Sequence, residues 1–198
     1  MRARSLAAVT IAFAVVACTD ATMPMATGSV GPSFSISDGA PGRGGNPFFF
    51  FLPPMVANPG AGANVTDLAP VVDICAPDGS HCIAHFTTDL STTTTTQPGN
   101  SETVRQSSDG YIVNWHTAAF DLDVDATYRL CVSVGGLALG HADVDVVGSA
   151  KDLKNVNTDE YVGLLDDRTL PIKFRIQDGA LSEPADAGCG GGGPPILL

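Results

Sequence analysis

Basic residues are scarce in this chain of 198 residues: ten lysines and arginines stand against 21 aspartates and glutamates, and the formal net charge is −11. The few basic residues form no stripe along the sequence. A protein this acidic repels phosphate backbones, because charges of the same sign would face each other across the contact. The composition therefore excludes nucleic acid from the expected partners.

Catalytic sequence patterns are also missing. The chain has no Gly-x-Ser-x-Gly or Ser-x-x-Lys arrangement, which place the nucleophile in several hydrolase families. No glycine-rich phosphate loop follows a predicted strand, because the glycines lie in turns and in the terminal segments. We therefore expect a protein that is not an enzyme and that holds no cofactor. A hydrolase would need a fold that joins a histidine to a nucleophile and a carboxylate.

Few histidines and cysteines lie close enough along the sequence to bind one metal ion together. On a strand that rises ~3.3 Å per residue, His81 and His85 would lie about 13 Å apart, too far to share an ion. We expect these two, and also His116 and His141, at the surface. The four cysteines beyond Cys18 lack the paired spacing of zinc sites. We therefore predict no metal site.

An alternating aspartate triplet within Asp121–Asp125 leaves one metal alternative open. An EF-hand loop has Gly at its sixth position and Glu at its twelfth, where this chain has Ala126 and Val132. That motif is therefore absent. Calcium at a sandwich loop, with Asp143 or Asp145 as a further ligand, stays an alternative to a solvated acidic loop.

Helical periodicity is scarce, whereas glycine (22) and proline (14) are frequent, which favours an all-β domain with many turns. Tyr111–Val134 is predicted to form two strands with a short connection, and the second has a clean apolar face, because Tyr128, Leu130, Val132 and Val134 alternate with Arg129, Cys131 and Ser133. The same alternation recurs in Leu170–Gln177. We predict an antiparallel immunoglobulin-like β-sandwich of about seven to nine strands between residues 47 and 178, with a closed barrel as the alternative. Its core should include Trp115, Tyr128 and Phe174.

Four consecutive phenylalanines, Phe48–Phe51, precede Leu52 and two prolines. Such a run indicates either a buried strand or an exposed apolar patch for a membrane or a partner. Because proline ends strands and is tolerated at sheet edges, we predict a first strand of edge type.

The segment 69–88 is predicted to be a hairpin around the turn Pro77-Asp78-Gly79. A three-residue loop would put Cys82 on the apolar face, whereas a four-residue loop would put Cys75 directly opposite Cys82. A local bulge would reconcile the two registers.

An even number of cysteines in an exported domain predicts disulfides, and four cysteines allow three pairings. We predict that Cys75 and Cys82 are bonded across the hairpin. Cys131 lies opposite the apolar face of its strand, so we predict that it reaches Cys189 in the tail.

Composition divides the chain into four segments. Residues 1–17 combine a basic start with the apolar stretch Leu6–Val16, which is too short to span a bilayer core of roughly 30 Å. Residues 18–45 are rich in small and polar residues and predict a flexible tether. Residues 46–180 form the predicted sandwich, and the glycine-rich residues 181–198 predict a disordered tail.

The end of the first segment, Val15-Val16-Ala17-Cys18, resembles the lipobox of bacterial lipoproteins. The resemblance implies a signal peptide that is cleaved before Cys18 and acylation of that cysteine, and two or more acyl chains anchor a protein stably. It further implies an exported protein of the bacterial cell envelope, anchored to a membrane in the periplasm or at the cell surface. An ordinary secretory signal with a chance cysteine is the alternative.

Three motifs carry a second resemblance: Tyr-x-x-Asn-Trp-x-Thr at 111–117, Ala-Thr-Tyr-Arg-Leu at 126–130 and Leu-Pro-Ile-Lys-Phe at 170–174. They resemble bacterial extracellular immunoglobulin-like domains, in which a Pro-x-Lys-Phe strand and an Asn-Trp-Asp-Thr hairpin recur. In those domains the Pro-x-Lys-Phe strand precedes the tryptophan hairpin, whereas here it follows. The resemblance implies a spacer or adhesive module and supplies no catalytic residues.

These observations predict a lipid-anchored envelope protein whose non-catalytic domain has a structural, adhesive or partner-binding role, with an envelope protein or a glycan as partner. The alternative is a carbohydrate- or small-ligand-binding module of a surface system. Exposed aromatic side chains on one face of the domain would favour that alternative.

Overall fold

The structure is a computed structural model that describes residues 35–76, 81–89 and 102–189. The described part contains ten strands and one α-helical turn, α1 (Ala150–Leu153). The strands are β1 (Ile36–Ser37), β2 (Phe49–Phe51), β3 (Pro70–Cys75), β4 (Cys82–Phe86), β5 (Arg105–Ser107), β6 (Gly110–His116), β7 (Thr127–Val134), β8 (Leu137–Val147), β9 (Val162–Leu165) and β10 (Thr169–Ile176). In these residues no helix has the length and the apolar character needed to cross a bilayer.

Two sheets pack face to face. The first has the order β1-β8-β7-β3-β4, with β9 joined to β8, and the second has the order β2-β10-β6-β5. Neighbouring strands are antiparallel, except that β9 runs parallel to β8. The prediction of an all-β sandwich is confirmed. The immunoglobulin-like strand order stays a prediction.

The core lies between the sheets and contains the three aromatic residues predicted for it. Trp115 and Phe174 are completely buried and Tyr128 is 4% exposed. The ring of Trp115 on β6 lies 6.1 Å from that of Tyr128 on β7, edge to face, so this pair bridges the two sheets. Alternation places the side chains in this way, because every second residue of a strand faces the opposite sheet.

Phe49–Phe51 of the phenylalanine run form an edge strand, as predicted, but it is the second described strand and not the first, because β1 precedes it. Among the described strands, β2 pairs with β10 alone and lies at the end of its sheet. Phe49 and Phe51 are completely buried in the core, and Phe50 lies on the other face under the guanidinium of Arg175, whose Cζ is 5.4 Å from the ring centroid. The run is therefore accounted for by packing within the domain.

The hairpin of β3 and β4 contains the bulge that reconciles the two predicted registers. Cys75 pairs with Cys82, as the four-residue loop requires, and the register then shifts between Ile74 and Cys75. Beyond the shift Ile74 pairs with Ala84, and both are buried. Cys82 itself is exposed and is not a core residue. The predicted turn, residues 77–80, lies outside the described residues.

The sandwich begins before residue 46, the start that composition predicts. β1 pairs with β8 through Ile36 and Ala142, and Ile36 is 3% exposed. The buried carboxylate of Asp38 accepts hydrogen bonds from the Ala40 amide (3.0 Å), the Arg43 guanidinium (3.0 Å) and the Phe51 amide (3.2 Å). One carboxylate thus fastens residues 35–45 to the domain, although their composition is that of a tether.

The sandwich also extends past residue 180 into the predicted tail. A short 3₁₀ turn at Ala180–Ser182 follows β10, and the Ala180 carbonyl accepts a hydrogen bond from the Asn46 side chain at 2.8 Å. Asp186 donates its amide to the Ala138 carbonyl at 2.9 Å. These contacts, together with a disulfide at Cys189, hold residues 181–189 against the first sheet.

Candidate functional site

Both predicted disulfides are present. Cys75 and Cys82 are bonded across the hairpin, with Cα atoms 3.7 Å apart. Cys131 on β7 is bonded to Cys189 in the tail, with Cα atoms 5.7 Å apart. Because disulfides persist in oxidising compartments, the pair indicates an extracytoplasmic environment.

The second disulfide belongs to a group of side chains on the outer face of the first sheet, which we call the tail cluster. It consists of four residues on the strands and two in the tail that covers them. The strand residues are Arg129 and Cys131 on β7 and His141 and Asp143 on β8, and the tail residues are Asp186 and Cys189. Alternation places the four strand residues on one face, since Cys131 pairs with His141 and Arg129 pairs with Asp143.

The centre of the tail cluster is an imidazole–carboxylate pair. His141 Nδ1 lies 2.7 Å from Asp186 Oδ1, and the two side chains are only 5% and 4% exposed. Burial raises the pKa of Asp186, but hydrogen bonds from His141 and Ser37 and the charge of His141 outweigh it, so this pKa lies below its usual 3.8. The carboxylate is therefore held in its ionised form. The prediction of a surface histidine is wrong for His141, because the tail covers it.

Arg129 links the tail to the sheet. Its guanidinium makes two hydrogen bonds of 2.7 Å to the Asp143 carboxylate and one of 2.9 Å to the Gly188 carbonyl. The hydrogen bond to Asp143 raises the pKa of Arg129, against the opposing effect of burial. The positively charged side chain of Arg129 is therefore bonded to Gly188, the residue that precedes Cys189 in the chain.

A groove of about 790 Å³ opens at another part of the sandwich. It lies between residues 54–57 after β2, residues 158–165 around β9 and residues 168–171 at the start of β10, with Arg43 and Leu153 completing its wall. This volume is within the range of roughly 300–1,000 Å³ that is typical of small-ligand sites.

The groove is lined by both apolar and polar residues. Among the apolar lining residues, Met55, Leu164 and Leu170 are buried. Tyr161 is half-buried in its wall, whereas Arg168 and Asp159 are exposed. Such a surface can pack against an apolar or ring-shaped group and can hydrogen-bond polar substituents around it.

A hydroxyl, an imidazole and a carboxylate form a hydrogen-bonded series across β10 and β6. Thr169 Oγ1 lies 2.8 Å from His116 Nδ1, and His116 Nε2 lies 2.9 Å from the carboxylate of Glu102. The order is that of a hydrolase triad. Glu102 is 1% exposed at its side chain, and its other oxygen accepts from the Asn114 amide and from Arg105, each at 2.9 Å.

We interpret this series as a structural clamp. His116 and Thr169 are cross-strand partners, so their contact follows from the register of β6 and β10. Glu102 uses both carboxylate oxygens to fasten the segment before β5 to β6. The series is therefore accounted for by pairing of the strands.

The acidic triplet does not assemble a calcium site with the neighbouring strand. Asp121, Asp123 and Asp125 are exposed in the loop before β7, whereas Asp143 binds Arg129 and Asp145 accepts from Thr127 Oγ1 at 2.6 Å. Among the described residues, the three potential metal ligands that lie within 4.8 Å of one another are His141, Asp186 and Cys189. The predicted lipidation site, Cys18, lies outside the described residues.

Sequence reasoning missed the partnership of His141 with Asp186. The available signal was the predicted bond from Cys131 to Cys189, which brings the preceding tail residues over β7 and β8. His141 is the cross-strand partner of Cys131, and Asp186 lies three residues before Cys189. The two would therefore be expected to meet once the disulfide and the register are both known.

We compared the chain with protein families, curated proteins and solved structures. The chain matches no protein-family model, no curated protein and no solved structure.

Proposed function

We propose that this chain is a lipid-anchored protein of the bacterial cell envelope, in which a non-catalytic β-sandwich serves a structural, adhesive or partner-binding role. The observation that carries the proposal is the pair of disulfides, which suits an exported domain in an oxidising compartment. The Val-Val-Ala-Cys sequence that ends at Cys18 supplies the anchor. The first described strand is β1, which begins at Ile36, about seventeen residues after the proposed anchor.

The anchor is tested by the substitution Cys18→Ala in the full-length protein. We expect the wild type to fractionate with membranes and to incorporate a labelled fatty acid, because a diacylated or triacylated terminus binds a bilayer stably. The variant should lose the label and leave the membrane fraction. Cys75→Ala is the matched control, since it removes a cysteine from the domain and should keep the label. Equal labelling of the wild type and Cys18→Ala would rule out lipidation at this residue.

A second candidate, a carbohydrate-binding module, is favoured by the groove. Sugar rings pack their apolar faces on aromatic side chains while their hydroxyls bind charged and polar groups, and Tyr161, Arg168 and Asp159 all line the groove. Trp115, Tyr111 and Tyr128 supply no such surface, because all three are buried. Binding would therefore depend on Tyr161.

A glycan-array screen of the soluble domain tests this candidate. If it is correct, several related glycans bind reproducibly, and Tyr161→Ala loses them because the stacking surface is removed. Val124→Ala, at a 44% exposed position that does not line the groove, should bind like the wild type. A wild-type domain that binds no glycan above the blank, or a Tyr161→Ala variant that binds as well as the wild type, would exclude carbohydrate at this groove.

A further inference from the structure

Four side chains with metal-binding atoms meet in the tail cluster. Donor atoms of His141, Asp186 and Cys189 all lie within 4.8 Å of one another, and Cys131 is joined to Cys189 through sulfur. Imidazole, carboxylate and thiolate are the groups that bind zinc in proteins, four to an ion in closed tetrahedral sites. We infer that these four residues bind one divalent ion of zinc type when the Cys131–Cys189 bond is reduced.

The spacing suits a tetrahedral ion after small adjustments of the side chains, since the donor atoms already lie within 4.8 Å of one another. Metal–nitrogen bonds of about 2.1 Å and metal–sulfur bonds of about 2.3 Å separate neighbouring donors by roughly 3.3–3.8 Å. The backbone already brings the ligands together, since Cys131 and His141 are cross-strand partners and the Cα atoms of Cys131 and Cys189 are 5.7 Å apart. The two sulfurs have to move apart, and so do His141 Nδ1 and Asp186 Oδ1, which are 2.7 Å apart, and rotation of the side chains achieves both changes.

The ligands come from separate elements, which is why their spacing in the sequence concealed them. β7 supplies Cys131, β8 supplies His141, and the tail supplies Asp186 and Cys189. The prediction that the chain has no metal site relied on cysteine pairs a few residues apart. A site built across a strand pair and a returning tail has no such spacing.

Burial and charge both suit an ion at this position. The side chains of His141 and Asp186 are almost completely enclosed, which limits competition from water. Two thiolates and one carboxylate carry three negative charges, of which a divalent ion neutralises two. The guanidinium of Arg129 is held next to Cys189 along the chain by its hydrogen bond to the Gly188 carbonyl, and supplies a positive charge near the remaining negative one.

Reduction and metal binding are separate steps, and each one balances. A dithiol reductant transfers two electrons and two protons to the disulfide, which yields the thiols of Cys131 and Cys189 and leaves the reductant as its own disulfide. The ion then displaces the two thiol protons, together with the proton that His141 shares with Asp186, as it binds. The same four side chains therefore hold a disulfide under oxidising conditions and an ion under reducing conditions.

The test uses the full chain with Cys18→Ser, Cys75→Ser and Cys82→Ser, so that the remaining thiols are those of Cys131 and Cys189. This parent is reduced with a dithiol, separated from it without oxygen, and titrated with Co²⁺. We expect one equivalent to produce a thiolate-to-cobalt charge-transfer band and the visible bands of a tetrahedral ion, and Zn²⁺ to abolish both. In the parent chain, His141→Gln and Asp186→Asn should each weaken binding by about tenfold or more.

His116→Gln is the matched control, because His116 also pairs with a carboxylate, Glu102 at 2.9 Å, but lies on β6 of the second sheet. It should bind Co²⁺ like the parent. Circular dichroism of each reduced protein, with and without Co²⁺, separates a folded site from thiols that bind in an unfolded chain. Absence of the charge-transfer band at one equivalent would overturn the inference. So would His141→Gln binding within about twofold of the parent, or a band that appears without strand structure.

Discussion

Replacing Trp115 by alanine is expected to lower the free energy of unfolding by about 3–5 kcal/mol, because truncation of a large buried aromatic removes its packing and leaves a cavity. Trp115 is completely buried, and its ring contacts Phe120 at 6.3 Å and Tyr128 at 6.1 Å between centroids. Since single domains are stable by roughly 5–15 kcal/mol in total, this loss is a large share of the whole.

Equilibrium urea denaturation, followed by circular dichroism, measures the effect. Trp115→Phe distinguishes packing from hydrogen bonding. The indole nitrogen is buried and has no hydrogen-bond partner among the described residues, so phenylalanine should retain most of the stability. Val124→Ala, at an exposed position, should lie within about 0.5 kcal/mol of the wild type. If Trp115→Ala were as stable as Val124→Ala, the tryptophan would not be the core residue that the fold makes it.

The strands that sequence alone predicted are those with sustained alternation. β6 begins one residue before the predicted Tyr111, and β10 begins one residue before the predicted Leu170. In such strands one apolar face must be buried, so the pattern contains the information about the fold. The core residues Trp115, Tyr128 and Phe174 follow from the same period of two.

Composition alone did not predict that residues 35–45 and 181–189 pack on the sandwich, because a few specific contacts determine their position. Asp38 gathers three hydrogen bonds in a stretch that reads as a tether. Asn46 binds the Ala180 carbonyl, 134 residues away. A composition window averages over such residues and cannot register a single buried carboxylate or amide. The same is true of the groove, whose wall combines Arg43 with residues more than a hundred positions later.

The two disulfides are expected to differ in their contribution to stability, and the longer link is expected to matter more. Cys131 and Cys189 are 58 residues apart, whereas Cys75 and Cys82 are seven apart. In the chain-entropy model, a cross-link restricts the unfolded chain more strongly as the loop it closes grows. This gives about 4 kcal/mol for the Cys131–Cys189 bond and about 2.5 kcal/mol for the Cys75–Cys82 bond. The hairpin pair is also held by backbone pairing of β3 with β4, which remains when its sulfurs are separated.

The comparison requires two double variants, Cys131→Ser with Cys189→Ser, and Cys75→Ser with Cys82→Ser, so that neither leaves an unpaired thiol. Urea denaturation should place the first below the second by roughly 1.5 kcal/mol in free energy of unfolding. Hydrogen exchange should show loss of protection at Asp186, whose amide binds the Ala138 carbonyl, in the first variant alone. If the hairpin variant proved the less stable of the two, the expected ranking by loop length would be wrong. If Asp186 kept its protection without Cys189, the tail would be held by the His141–Asp186 pair and not by its disulfide.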